Sequence, residues 1–149
     1  MVDITDIVAI GTDHAGYQMK EFLIENLKRE GFVFKDYGAF SEESVDYPDI
    51  IHPLAKDIND GKYNRGVILC GSGNGVAITA NKYINVRAAI CWEKELAKLS
   101  RQHNNANILV LPARFISLKE ALKIVKLFFS TGFEGGRHLR RVEKIAVKL

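Results

Sequence analysis

The sequence predicts an α/β fold: a three-layer α/β/α sandwich with a five-stranded parallel sheet, Rossmann-like, and a C-terminal helix. Three observations predict it. Five short β-rich runs alternate with helical patterns along the chain, the order that βαβ units impose. Four of those runs are apolar nearly throughout, as strands covered on both faces should be. The 149 residues, 47% hydrophobic and 26% charged, suit one domain spanning 1–149 with a sizeable core.

The elements follow in order. Ile7–Gly11 (IVAIG) reads as the first strand. Tyr17–Glu30 reads as a helix, because Met19, Phe22, Leu23 and Leu27 share one face and Gly31 stops it. Phe32–Tyr37 is the second strand, and Asp49–Asp60 the second helix, which Pro53 must either kink or enter within its first turns. Gly66–Cys70 (GVILC) is the third strand, followed by a helix over Val76–Tyr83. Val86–Cys91 and Asn107–Leu111 are the last two strands, with a helix over Glu93–His103 between them. Ser117–Ser130 opens with Ser117 and Glu120 in capping-box spacing. After the loop Thr131–Gly136, Arg137–Leu149 reads as a terminal helix.

Bulk properties exclude some functions. A net charge of +3 suits an anionic small molecule as well as nucleic acid. No secretory apolar core follows Met1, and no apolar run approaches the roughly 18 residues of a membrane span. Two cysteines, Cys70 and Cys91, do not make a disulfide framework in a chain of this size, so a reducing cytoplasm is the expected setting.

In parallel sheets, ligands bind beyond the carboxyl ends of the strands, where the winding reverses. Two loops stand out there for glycine and polar content: Thr12–Gly16 (TDHAG) and Gly71–Gly75 (GSGNG). The second precedes a helix, so its backbone N–H groups form a natural anion cradle; a tight turn that only needs glycine dihedrals explains the same loop. It is not a P-loop, since no lysine follows Gly71, and Val76 occupies the sixth position of the dinucleotide pattern. Glu93, about 20 residues on, stands where a ribose-binding acid would belong, which keeps a non-catalytic nucleotide-binding domain as an alternative.

Cys70 lies between strand end and glycine loop, where the helix start favours the reactive thiolate, a usable nucleophile or base. Cys91, within AAIC and followed by no such loop, reads as a small core hydrophobe. His14 adjoins Asp13 in TDHAG, and His103 ends a helix in RQHNNAN; His52, beside Pro53, reads as packing. No Cys or His pair has the spacing C-x-x-C or H-x-x-x-H, so no metal is expected. In the tail, Arg137, Arg141, Lys144 and Lys148 form one basic stripe. That is a solvated amphipathic face, or else Arg137 and Arg141 clamp a phosphate. Nucleic acid is not expected, because no aromatics interleave with these cations.

Together, TDHAG, DYPD, CGSGNG, ANK, RQHNNAN and EGGRHLRRV, in order from about Val8 to Val142, resemble the ribose-5-phosphate isomerase B family, which also contains galactose-6-phosphate isomerase subunits. The resemblance implies a cytoplasmic aldose–ketose isomerase working through a cis-enediolate, without metal or cofactor. It further implies a sheet order of 2-1-3-5-4 and a homodimer or homotetramer with the active site at the subunit interface. By the same resemblance, Cys70 is the base, and the amides of Gly71, Ser72, Gly73, Asn74 and Gly75 hold the enediolate. Ser72 stands where the family often has threonine. His103 matches the acid that opens the sugar ring, and Asp13 and Asn104 match substrate-binding residues. His14, Arg114, Arg137 and Arg141 match positions that hold the substrate, its phosphate above all. Ribose 5-phosphate is the implied substrate, with galactose 6-phosphate or allose 6-phosphate as alternatives.

Overall fold

The structure is a computed structural model that describes residues 6–149. Five strands, β1 (Ile7–Thr12), β2 (Val33–Asp36), β3 (Arg65–Cys70), β4 (Ala88–Ile90) and β5 (Ile108–Pro112), form one sheet in the order β2-β1-β3-β5-β4. Every pairing is parallel. The winding therefore reverses between β1 and β3, as expected from the two glycine-rich loops that follow those strands.

Six helices cover the sheet: α1 (Tyr17–Lys28), α2 (Tyr47–Asn59), α3 (Asn74–Ala80), α4 (Lys94–Asn104), α5 (Leu118–Ser130) and α6 (Arg137–Glu143). Alternation along the strands divides the interior in two. Val8, Ile10, Val67, Leu69, Leu109 and Leu111 face α1, α4 and α5. Ala9, Ile68, Cys70, Ile108 and Val110 face α2 and α3. A one-residue slip in β3 would exchange these sets and turn Cys70 to the other layer.

Local chemistry explains most boundaries. Gly31, at φ +94°, ends α1, and the Phe32 N–H reaches back to the Leu27 carbonyl at 3.1 Å, a Schellman closure. Ser117 accepts the Glu120 N–H at 3.1 Å and so caps α5. Helix α2 starts two residues before the expected Asp49, with Pro48 in its first turn where no N–H is needed, and continues through Pro53.

Other expectations need correction. Strand β4 spans three residues rather than Val86–Cys91 and is half-buried throughout, because as an edge strand it has a pairing partner on one side only. Helix α3 starts at Asn74, inside the glycine loop, and stops at Ala80 rather than Tyr83. Helix α6 ends at Glu143, so Lys144 and Lys148 do not extend a helical stripe from Arg137 and Arg141. The sequence pattern also concealed Lys20. It points into the protein on α1, fully buried, with Nζ 2.6 Å from Asp36 and 3.0 Å from Glu21.

Candidate active site

The Cys70 pocket forms where β1 and β3 end. Its volume is about 490 Å³, and Asp13, His14, Ala15, Tyr47, Cys70, Gly71, Ser72, Gly75, Arg114 and Phe115 line it. Each loop arrives by short-range hydrogen bonds. Asp13 N–H donates to the Leu69 carbonyl at 3.4 Å, tying the first loop to β3, while Asp13 Oδ1 accepts the Ala15 N–H at 2.9 Å and caps a short 3-10 turn. His14 Nδ1 accepts the Val45 N–H at 3.2 Å. That assigns the ring proton to Nε2 and leaves Nε2–H as a donor for an anion. Arg114 comes from the end of β5, its N–H bonded to the Gly71 carbonyl at 3.0 Å.

Cys70 is buried and free, and the Gly73 N–H is directed at its sulfur from 3.2 Å. Gly73 can turn back toward Cys70 because its φ is +81°, a conformation that side chains rarely adopt. The next donor is also engaged: Asn74 N–H bonds Ser72 Oγ at 3.2 Å. Gly75 answers a different need, since a Cβ there would lie 2.4 Å from Tyr47 Cε1. The Tyr47 ring thus lies directly against the loop and forms a wall of the pocket.

Burial pushes the other cysteine, Cys91, up to about 11, with a hydrogen bond to Ser100 opposing weakly. It is the inert thiol that the sequence indicated. Beside the Cys70 pocket lies a second recess of about 510 Å³, lined by Ser72, Asn74, Ile90, Trp92, Glu93, Pro112 and Phe115. Glu93 therefore shares a recess with the loop, although not the one that holds Cys70.

His103, Asn104, Arg137 and Arg141 do not line the Cys70 pocket. Strand topology shows why. Gly66 pairs with Ile108 at the start of β5, and Cys70 with Pro112 at its end, a separation of about 13 Å at ~3.3 Å per residue. Helix α4 runs from the carboxyl end of β4 back to the amino end of β5, so His103 and Asn104 lie at the sheet's opposite end. The Ala106 N–H to Ser100 carbonyl bond at 3.0 Å holds the chain there.

Those residues make a second cluster. The His103 and His138 rings stack with centroids 4.2 Å apart and an interplanar angle of 10°. His138 Nε2 is 3.6 Å from Glu134 Oε2. Arg137 and Arg141 project from the same short helix and are exposed. One ligand atom each from His103, Glu134 and His138 come within 4.8 Å of one another, so three metal-capable groups meet from separate elements, which pairwise spacing could not reveal. The rings are parallel, however, and a shared metal must lie in both ring planes at about 2.0–2.1 Å from each nitrogen. As stacked, with two arginines beside them, they form an anion-attracting surface.

The sequence reading missed Tyr47, Phe115, Glu134 and His138. Tyr47 lies in the DYPD motif and His138 between the two tail arginines, so motif position was the available signal for both.

A family model described as Ribose/Galactose Isomerase matches residues 8–145. Ribose-5-phosphate isomerase B of Escherichia coli (strain K12) is 38% identical over 138 residues, which is 93% of each chain. A D-erythrulose-4-phosphate isomerase of Pectobacterium atrosepticum is 39% identical over 139 residues, covering 93% of this chain and 91% of that one. The crystal structure of a ribose 5-phosphate isomerase from Thermotoga maritima superposes with a TM-score of 0.93 at 46% identity, covering 95% of this chain and 98% of its own. Ribose-5-phosphate isomerase B from Mycoplasma genitalium, solved with bound ribulose-5-phosphate, gives 0.90 at 38% identity and 95% coverage of both chains.

Proposed function

Because the chain belongs to the ribose/galactose isomerase family, we propose that it interconverts ribose 5-phosphate and ribulose 5-phosphate through a cis-enediolate. The observation that carries this reading is the Cys70 sulfur, buried at the carboxyl end of β3 with an N–H directed at it from 3.2 Å. Proton abstraction from carbon needs a base held against that carbon and a fixed positive field for the oxygens that become charged. Here strand end and loop supply both.

The reaction starts from a closed sugar. His103 donates a proton to the ring oxygen as the C1–O4 bond breaks, and the anomeric O–H loses its own proton to solvent. Cys70 then takes the C2 proton, and the electron pair moves into the C1–C2 bond as O1 becomes anionic. Gly73's amide already serves the sulfur and Asn74's the Ser72 hydroxyl oxygen, so the remaining loop amides and the Ser72 hydroxyl proton face the enediolate oxygens. Moving the O2 hydroxyl proton to O1 and returning the proton from Cys70 to C1 then leaves the carbonyl at C2, which is the ketose. His14, Arg114, Arg137 and Arg141 hold the substrate, chiefly its phosphate, while Asp13 and Asn104 bind the sugar hydroxyls.

One chain does not assemble this set, since Cys70 and His103 lie at opposite ends of the sheet. We infer a homodimer or larger symmetric assembly in which one subunit gives Cys70, His14, Asp13 and Arg114, and the other gives His103, Asn104, Arg137 and Arg141. No step requires a metal or cofactor, and the two free thiols suit a cytoplasmic setting.

Substrate length is the point on which a second reading stands. The D-erythrulose-4-phosphate isomerase is as similar as the ribose 5-phosphate enzyme, so kcat/KM across four-, five- and six-carbon aldose phosphates decides it. Isomerase assays of purified protein test the whole reading. Turnover of none of these sugars, with tight binding of NAD or FMN instead, would return Glu93 and its recess to the nucleotide-binding alternative.

A further inference from the structure

His138 is the second residue of α6 and is buried, whereas the arginines on either side of it are exposed. Its imidazole lies face to face with His103 at 4.2 Å. The loop before α6 holds it there: Glu134 N–H bonds the Gln102 carbonyl at 3.1 Å, next to His103, and His138 N–H bonds the Gly135 carbonyl at 3.0 Å. Glu134 Oε2 lies 3.6 Å from His138 Nε2 and orients the ring from its edge. A side chain stacked on an otherwise half-exposed acid limits the plane in which that acid can present its proton.

The charges around the pair are unequal. Burial, then His103 and Arg137, lower the His138 pKa; Glu134 opposes them and Arg141 adds to the lowering. Two imidazolium rings at this separation would repel each other.

We propose that His138 is a positioning residue for His103: its buried ring, stacked face to face on the His103 imidazole, fixes the plane in which His103 presents its proton. The proposal rests on reading His103 as the ring-opening acid, and it extends that reading to a residue that touches no reacting atom. It also gives Glu134 a purpose, as the carboxylate that orients the supporting ring.

The experiment compares His138→Ala and His138→Phe with the unaltered protein in two reactions. Conversion of ribose 5-phosphate needs ring opening; exchange of a C1 hydrogen of ribulose 5-phosphate with D₂O does not. For His138→Ala, aldose conversion should fall about 10- to 100-fold with little change in KM, the scale of a misplaced catalytic group, while ketose exchange persists. His138→Phe, which keeps a flat apolar face, should recover most of the loss. Parallel loss of both reactions in His138→Ala, or a Phe variant no better than Ala, would overturn the proposal. NMR of labelled imidazoles needs no turnover and so stands apart from the isomerase reading. The His103 ring resonances should shift in His138→Ala, which removes a ring stacked at 4.2 Å, and return most of the way in His138→Phe; His103 resonances that do not move would sink the idea even in an active enzyme.

Discussion

The two ends of the sheet carry two differently made halves of the site. At the carboxyl end, Cys70, Asp13 and Gly73 are buried and fixed by main-chain hydrogen bonds running directly into the core strands. At the amino end, Asn104, Arg137 and Arg141 are exposed side chains on helix ends, and His103 is half-buried against His138. In the proposed reaction the first half places a reacting atom, which tolerates little displacement. The second half would bind charge and move a proton, which long side chains can do once another surface orders them. The difference teaches that burial within one subunit follows the strictness of the geometric demand.

The largest effects should come from the buried half. Cys70→Ala should lose about 10²-fold or more in both aldose conversion and ketose C1 exchange, as removal of a positioned base does, and mass spectrometry of recovered ketose measures it. If exchange survives there, the base is elsewhere and the contrast collapses.

His103→Ala sharpens the same contrast from the other end. It should convert ribose 5-phosphate poorly yet still exchange the C1 hydrogen of ribulose 5-phosphate, because that ketose cannot close a furanose ring through its phosphorylated oxygen. Mixing Cys70→Ala and His103→Ala subunits should then restore turnover, since a mixed dimer has one complete site if each pocket draws from both chains. No recovery in verified mixed dimers would mean that one subunit supplies both groups.

Arg137→Ala and Arg141→Ala should act more mildly, raising KM by about 10- to 100-fold, in line with one charge-assisted hydrogen bond. Inhibition by free phosphate should weaken in parallel. In the buried half, Gly75→Ala should cost about 1–3 kcal/mol of stability by overpacking against Tyr47, read from denaturant midpoints. Arg140→Ala, at an exposed position, should leave the midpoint almost unmoved.

The remaining effect concerns pH and leaves turnover untouched. The Cys91 thiol is raised from 9.0 to about 11 by burial. The folded state therefore keeps its proton where the unfolded state has lost it, and stability falls as pH rises between those values. At about 1.4 kcal/mol per unit, the loss approaches ~3 kcal/mol by pH 11. Cys91→Val should flatten that alkaline decline without touching turnover, whereas alkylation at neutral pH should reach Cys70 and be blocked by substrate.

Much of this was legible beforehand because it is local. Continuous apolar runs between helical patterns marked four of the five strands, a β-rich run marked the other, and the parallel sheet followed from their alternation with helices. Glycine-rich turns after β1 and β3 marked the pocket because only particular residues bend there. The cysteine at a strand end stood apart from the one inside AAIC by its neighbours alone. Where boundaries slipped, the causes differ. Strand β4 shortened because it is at the sheet edge, and α3 began early because Asn74 already closes a turn onto Ser72. The terminal helix stopped at Glu143 although its apolar periodicity continues, and nothing in the surrounding contacts explains the stop.

The sequence by itself determined the fold class and set Cys70 and the two glycine-rich loops apart from their neighbours, since each is written in composition, period and turn chemistry. The tertiary structure alone decided which of those residues can meet. Parallel strands joined by returning helices send the end of α4 to the amino end of the sheet, so His103 is carried away from Cys70 however close their motifs lie in the chain. It likewise brought His138 and Glu134 beside His103, and Lys20 onto Asp36. These are contacts between elements, and only packing fixes them.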